Sequence, residues 1–488
     1  MNQDQLRNMS LEDLLGNIPR EYRNINVNDI VLDSRQVKPG TAFFALRGSK
    51  QHGLDYKDEA LARGATAIIY DSDSYDGDIA GPVISIPKLG NKIGRYANIF
   101  YKKKSNLNLV GVTGTNGKSS VAYISSLARI NSGYKCGYIG TIGKGIPPNL
   151  LKETSLTTPD CFSLHKQISD LDVDNLIMEV SSHALSQNRI DGLDFQVAVF
   201  TNLSHDHLDY HVTYDAYEIA KLSLFQIPTL KKAVVFLDDD FSNKVIKKIP
   251  KGVEVISTSL KSGADITGRI ISCDINGIVM DVSDSESNAT INSPLLGDFN
   301  AENLIISLGI LKSLGASLIE ASRLLSLCPG VIGRMHSFGG DKEKPLVVID
   351  YAHSPASIEK ALRFLSRNKK GSLWCVFGCG GARDSSKRKE MGNIVASIAD
   401  HIILTDDNPR NEDPNKIISD ISSGIKNHPS LLIERDRFSA ISNAISSARK
   451  EDTILIAGKG DEEKQYLAKE TIDFSDLSEV QKALGALN

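Results

Sequence analysis

The sequence predicts an α/β protein of three domains: an N-terminal α/β domain over 1–103, a central parallel-sheet domain built on a P-loop over 104–333, and a C-terminal Rossmann-like α/β domain over 334–488. Three observations predict it. A chain of 488 residues is too long for one hydrophobic core, so roughly two to four domains are expected. Continuous apolar runs that end in polar loops alternate with longer helical stretches, the pattern of a parallel sheet covered on both faces. That pattern begins at NLVGVTG and restarts after CPGVIGRMHSF at 328–338, which divides it between two units.

The elements follow in order. Residues 1–103 carry the short strand-like runs DIVLDSR, GTAFFALRG, ATAIIYD and PVISIP, and YKKKSN at 101–106 reads as a solvated basic link. The central strands are NLNLVGVTG, NLIMEVSSH, FQVAVFTNLSHDH and KKAVVFLDDD. Residues 265–293 read as a small antiparallel insertion, and PLLGDFNAENLIISLGILKSLG as a loop followed by a long apolar helix. KPLVVIDYAHS, GSLWCVFGCGG, ADHIILTDDNPR and DTILIAGKGDE are four strand-to-loop units of the last domain. In both α/β units the polar clusters follow the strands, at the carboxyl edge where open α/β sheets bind ligands.

Composition narrows the function classes. With 41% hydrophobic residues, 24% charged residues and a formal net charge of −4, nucleic acid is not an expected partner. Six scattered cysteines suit reduced thiols and a cytoplasmic protein, and Cys375 and Cys379 read as two buried thiols rather than half a metal site. The N-terminus lacks a basic stretch followed by an apolar run, so no signal peptide is expected. No apolar run approaches the ~18 residues of a membrane span.

Residues 111–120, GVTGTNGKSS, almost match a phosphate-loop pattern; the first glycine of the strict form would fall on Val112. A buried strand, a glycine-rich turn and a helix in succession are nevertheless the context such a loop needs. Gly114, Thr115, Asn116 and Gly117 offer backbone amides to phosphate oxygens, and Ser120 continues the helix start. Lys118 offsets phosphate charge, and the Ser119 hydroxyl can reach Mg²⁺. Downstream, Glu179 ends a strand, and the next strand ends in His205, Asp206, His207, Asp209 and His211. If HLDYH starts a helix, His207 and His211 share a face. The cluster fits zinc, one or two Mg²⁺ ions, or a polar loop with exposed histidines. Lys221, in an apparently amphipathic helix, reads from the residues alone as a snorkelling surface lysine.

Taken together, GTNGKSS, MEVSSHAL, TNLSHDHLDYH, GDFNAEN, GRMHSF and DYAHSPASIEKAL resemble, in order, the motifs of the Mur ligase family, which makes peptidoglycan precursors from UDP-linked muramyl peptides. The match runs from LDSR at 32–35 to GKGDE at 458–462. The resemblance implies a first domain that binds the UDP-sugar, a second that binds ATP, and a third that takes the incoming amino acid. It implies Leu32, Ser34, Ser49, Lys50 and Gln51 near the uridine part, and Thr157, Thr158, Ser181, Gln187 and Arg189 on the muramyl peptide. It also implies Glu179 and His207 as Mg²⁺ ligands, Lys221 as a carbamate beside them, and Asn300 near the adenine. Arg334, Asp350 and His353 are expected to close over the nucleotide.

The DNPR tetrad (Asp407, Asn408, Pro409, Arg410) implies meso-diaminopimelate as the incoming amino acid. An arginine fork grips its distal carboxylate as no lysine could, with Arg383 as a second partner. Glu462 and the Gly458 carbonyl are expected to take the distal ammonium. Within GKGDE the family more often carries His where Asp461 stands, and more often Thr where Ser119 stands. The resemblance implies an acyl-phosphate route and small-molecule substrates only, and the chain is expected to act as a monomer. The rivals are an L-lysine-adding version, a sister Mur or folylpolyglutamate ligase, and, from another class, a non-catalytic nucleotide-binding scaffold.

Overall fold

The computed structural model describes residues 7–48, 51–75, 79, 83–102, 106–151, 156–204, 206, 208–341 and 343–486. Three main sheets organise them. Near the N-terminus, four parallel strands lie in sequence order, Asp29–Val31, Thr41–Ala45, Ala65–Asp71 and Val83–Ile86. These are the four apolar runs read from the sequence. Alternation divides them between two cores: Ile30, Phe44 and Ile69 face one side, and Val31, Phe43 and Ile68 the other.

The central sheet has eleven strands. Its parallel heart runs Cys136–Gly140, Asn175–Glu179, Asn108–Thr113, Val197–Phe200, Lys232–Phe236 and Glu254–Ser259. Both faces are buried, as continuous apolar strands require. Val110, Val112, Ile177 and Val199 point into one core, and Leu109, Leu176, Met178 and Ala198 into the opposite one. The antiparallel residues at 265–293 are not a separate insertion. Ile266–Asp274 pairs in parallel with Glu254–Ser259, and Gly277–Ser283 and Asn288–Ser293 then continue the same sheet. An edge strand offers unpaired amides and carbonyls, so an adjacent hairpin joins the sheet rather than standing apart. The helix Asp298–Ser313 is buried on nearly all sides, which explains its apolar sequence.

The C-terminal sheet runs His336–Gly339, Leu346–Asp350, Thr453–Ala457, Leu373–Phe377, His401–Leu404 and Leu431–Ile433, with only the first strand antiparallel. The sequence reading found its four inner strands. The two short edge strands, His336–Gly339 and Leu431–Ile433, are half exposed and only three or four residues long. Cys375 and Cys379 are buried free thiols, as are most of the six cysteines.

The sheets are packed against one another. A Cβ on Gly94 would lie 2.4 Å from the Asp191 carbonyl carbon, and Asn98 Nδ2 donates to Gly192 O at 2.7 Å. The Arg7–Asp170 ion pair adds to this first junction. At the second, a Cβ on Gly333 would lie 2.2 Å from the Asp461 nitrogen, and Arg367 pairs with Asp298 at 2.6 Å. No described helix is long and apolar enough to cross a membrane.

Candidate active site

The strand Asn108–Thr113 ends at Thr113, and the helix Lys118–Asn131 begins after four intervening residues. The turn between them needs its glycines. Gly117 sits at φ +83°, and a Cβ on Gly114 would meet Thr201 Oγ1 at 1.9 Å. Thr201 and Asn202 brace the turn from the next strand. Thr115 N donates to Asn202 O (2.8 Å), Asn116 N to Asn202 Oδ1 (2.9 Å), and Thr201 Oγ1 to Asn116 O (2.7 Å). Lys118 Nζ folds back onto Gly114 O (2.8 Å) and Thr115 O (2.9 Å), so its charge caps the turn.

Lys221 does not snorkel. It is 2% exposed, donates to Gly114 O at 2.7 Å, and lies 4.6 Å from the Tyr217 ring centroid. Its helix, Tyr214–Leu222, presents it to the interior because Tyr217, one turn earlier on the same face, is buried as well. Burial first, and the neighbouring Lys118 charge second, pull the Lys221 ammonium well below the ordinary lysine value.

Glu179, the last residue of its strand, is 1% exposed. Its carboxylate accepts from Tyr138 OH (2.6 Å), Thr141 N (2.8 Å) and Ser119 Oγ (2.9 Å). From this carboxylate a chain of contacts leads through the muramyl-peptide candidates. Thr157 shares a hydrogen bond with Thr141, and Thr158 Oγ1 donates to Glu179 O. Ser181 N donates to Thr158 Oγ1, Arg189 Nη1 to Thr158 O (2.7 Å), and Arg189 Nε to Gln187 Oε1.

The histidine cluster is only partly visible. His205 and His207 lie outside the described residues. Asp206 lines the cavity beside the loop. His211 ends the short helix Leu208–His211, and its ring packs among His183, Tyr210 and Tyr217 with centroids 4.9–5.6 Å away. Among the described residues no three His, Cys, Asp or Glu side chains form a metal cluster.

The same cavity receives residues from the C-terminal sheet. Arg334, Asp350 and His353 line it together with Lys118, Ser119 and Asn300. Asp350, at the end of its strand, accepts from Met335 N at 2.7 Å, and burial raises its carboxyl above the usual range. His353 Nδ1 bonds Tyr351 O at 2.8 Å. Asn300 donates to Leu296 O and accepts from Asn303, whose Oδ1 lies against the Gly117 position. Arg334 lies over the Tyr351 ring at 4.2 Å and pairs with Asp461 at 2.8 Å.

Asp461 leads to the third group. Its neighbour Glu462 accepts from Asn408 Nδ2 (2.7 Å) and from Lys459 Nζ (3.0 Å), whose side chain is fully buried. Asn408 Oδ1 accepts from Tyr466 N, and Asp407 Oδ2 lies 2.5 Å from the Gly458 Cβ position. Pro409 is buried, and Arg410 follows at φ +51°, a left-handed conformation that costs an arginine about 1–2 kcal/mol. It is held by N–H to Tyr466 O (2.9 Å) and Nη1 to Gly381 O (3.1 Å). Arg383 is exposed on the adjoining loop.

Of the residues expected near uridine, Ser34 is buried and donates to Glu59 Oε2 at 3.4 Å, Leu32 is half-buried, and Gln51 accepts from Tyr56 OH. Ser49 and Lys50 lie outside the described residues. Sequence reasoning did not single out Tyr138, Thr141, Asn202, Asn303 or Lys459. Lys459 stands within the quoted GKGDE and Asn202 within TNLSHDH, but only the fold shows which atoms they touch.

Comparison with known proteins agrees with this geometry. Residues 26–96 match the profile described as Mur ligase family, catalytic domain, 112–311 the Mur ligase middle domain, and 333–460 the Mur ligase, glutamate ligase domain. A protein of Xylella fastidiosa (strain 9a5c) named UDP-N-acetylmuramoyl-L-alanyl-D-glutamate--2,6-diaminopimelate ligase is 38% identical over 99% of this chain and 98% of its own length. A protein of the same name from Pseudomonas putida is 40% identical over 94% of this chain and 95% of its own. A solved structure of a ligase of that name superposes with a TM-score of 0.68 at 33% identity, covering 98% of this chain and 99% of the other. Similarity that spans all three sheets, at 38–40% identity over nearly the full length of these relatives, makes this chain a member of the Mur ligase family.

Proposed function

We propose that the chain is the ATP-dependent ligase that adds meso-2,6-diaminopimelate to UDP-N-acetylmuramoyl-L-alanyl-D-glutamate through an acyl phosphate, in the cytoplasmic synthesis of peptidoglycan precursors. One observation carries the reading: Arg334, which lines the phosphate-loop cavity, pairs with Asp461, the chain neighbour of Glu462, which in turn accepts from Asn408. Phosphoryl transfer and amine attack can then occur in one cleft. The near-full-length relatives of that name support the choice of amino acid. Domains at 1–103, 104–333 and 334–488 carry the UDP-sugar, ATP and amino-acid sites, a division that the three sheets support.

The dipeptide's terminal carboxylate attacks the γ-phosphorus of ATP. Gly114, Thr115 and Asn116 shape the turn, the latter two with amides already bonded to Asn202. Amides at Gly117–Ser120, with Lys118, therefore hold the phosphates in line, and Arg334 approaches from the cavity wall. Asn300 and Asn303 form the floor on the adenine side. Thr157, Thr158, Ser181, Gln187 and Arg189 orient the muramyl peptide, and Leu32, Ser34, Ser49, Lys50 and Gln51 hold its uridine end. The diaminopimelate amine then displaces phosphate from the acyl phosphate, while Arg410 and Arg383 grip the distal carboxylate, and Glu462 with the Gly458 carbonyl faces the distal ammonium. Lys459 already pairs with Glu462, so that carboxylate is shared between two cations.

Mg²⁺ fits this cleft. The Ser119 hydroxyl and the Glu179 carboxylate form an adjacent all-oxygen donor set, the kind this hard ion prefers. Ser119, Glu179, His207 and Lys221 as a carbamate would hold it. When bound, the ion neutralises charge on the transferring phosphoryl group. The lowered pKa of Lys221 supports the modification, because the neutral amine is what takes up CO₂. With the candidate side chains all supplied by one chain, a monomer suffices.

The test is phosphate release and product formation with ATP and the UDP-dipeptide, comparing meso-diaminopimelate with L-lysine. Phosphate release that requires all three substrates and prefers diaminopimelate is expected. L-lysine lacks the distal carboxylate, and sites built around such a partner reject analogues lacking it by about 10⁴–10⁵. Equal rates with the two amino acids would refute the specificity. ATP turnover without either co-substrate would favour a nucleotide-binding scaffold.

A further inference from the structure

We propose that Arg388 and Glu412 form a positioning pair that sets the spacing between the two arginine-bearing loops and so sharpens selection of the amino acid. This rests on the reading above that Arg383 and Arg410 face the distal carboxylate of diaminopimelate.

Arg388 lies in the first turn of the helix Lys387–Ile398, and its side chain is fully buried. The guanidinium forks onto Glu412, Nη1 to Oε1 at 2.7 Å and Nη2 to Oε2 at 2.8 Å. Nη1 also donates to Asp420 at 2.9 Å and Nη2 to Gly380 O at 3.3 Å. Glu412 Oε2 in turn accepts from Ala382 N at 2.9 Å. One ion pair therefore touches both loops, just before Arg383 on one and just after Arg410 on the other.

Those loops are also in direct contact. Gly381 N donates to Asn408 O at 2.9 Å, and a Cβ on Gly381 would meet Pro409 O at 1.9 Å. Each contains one non-glycine residue in the left-handed region, Ala382 at φ +52° and Arg410 at φ +51°. Neither backbone would hold that conformation without external support. A buried ion pair is a poor source of net stability compared with apolar packing, and Arg388 Nε has no hydrogen-bond partner among the described residues. What the pair provides is a fixed geometry. The fork is planar and rigid, and bidentate recognition of a carboxylate tolerates only small errors in guanidinium placement.

The experiment uses the full chain and initial rates, varying each substrate in turn. Glu412→Gln keeps an acceptor for Ala382 N but removes the charge, whereas Arg388→Lys keeps the charge but removes the fork. The KM for diaminopimelate is expected to rise about ten-fold in Glu412→Gln and further in Arg388→Lys, as when supporting partners of a binding group are lost. The KM for ATP stays within about twofold, and the preference over L-lysine falls by the same factor as the diaminopimelate KM rises. An unchanged diaminopimelate KM in Glu412→Gln overturns the proposal, and so does a parallel rise in the KM for ATP, which marks general loosening. Glu412 is partly exposed, so that variant decides alone should Arg388→Lys fail to fold. Arg410→Lys, measured beside them, separates the two readings. If it impairs diaminopimelate addition while Glu412→Gln does not, only the positioning pair falls. If it too has no effect, the amino-acid site is misassigned and the proposal falls with it.

Discussion

The proposed phosphate site and the proposed amino-acid site both sit at the carboxyl edges of parallel strands, yet they are built in opposite ways. At the proposed phosphate end the candidate donors are backbone amides at the start of one helix, Gly117–Ser120, and Gly114 and Gly117 allow the tight turn before it. At the proposed amino-acid end the groups are side chains from three separated loops: Arg383 from one, Asn408 and Arg410 from the second, Lys459 and Glu462 from the third. The first arrangement suits a ligand group common to every nucleotide. The second suits a choice between similar amino acids, because discrimination depends on where individual side chains are held. Arg334 and Asp461 join the two ends.

This contrast can be broken by substitution. Lys118→Ala should have the largest effect, lowering kcat for peptide extension by about 10³-fold for both diaminopimelate and any slow alternative substrate, as expected for loss of a transition-state charge partner. A turnover assay showing wild-type rates would remove the phosphate-loop assignment. Lys221→Ala should lower kcat by about 10²-fold and regain part of it when a short carboxylic acid is added, since the proposed carbamate is replaced by a diffusible carboxylate. Absence of rescue together with high residual activity would return Lys221 to a packing role. Arg410→Lys should lower kcat/KM for diaminopimelate by about 10²-fold while the KM for ATP stays put, because a lysine cannot form the fork. A matching loss of ATP affinity would show that the two ends are not separable. The smallest effect is expected at the junction. Asp461→Asn removes the charge that holds Arg334, and should raise the KM for both ATP and diaminopimelate by about threefold, roughly the cost of weakening one charge-assisted hydrogen bond. A change confined to one substrate would assign Asp461 to that end alone.

The two ends also differ in how far they could be read in advance. GVTGTNGKSS is local, and strand, turn and helix follow one another without a break over residues 108–131. Glu179 was visible because it ends an apolar run. Lys221 was misread on pattern alone, since a lysine in a short amphipathic stretch carries no sign of burial until Tyr217 and the Gly114 carbonyl are seen around it. The edge strands His336–Gly339 and Leu431–Ile433 were missed because HSFG holds one large apolar residue and LLI, though apolar, is only three residues long, below the length at which a strand pattern shows. The stretch at 265–293 was read correctly as antiparallel, but its pairing onto the central sheet depends on a strand about ten residues upstream that offered a free edge.

Apolar periodicity, glycine placement and residue order within motifs are properties of neighbours along the chain, so they specified the α/β class, the strand-to-loop units and the phosphate turn before any fold was known. The burial of Lys221 and Arg388, the sharing of Glu462 between Asn408 and Lys459, and the Arg334–Asp461 link join residues 3 to 127 positions apart. Such contacts exist only once the central and C-terminal units have folded, because desolvation and hydrogen bonding depend on distance in space, which separation along the chain does not report.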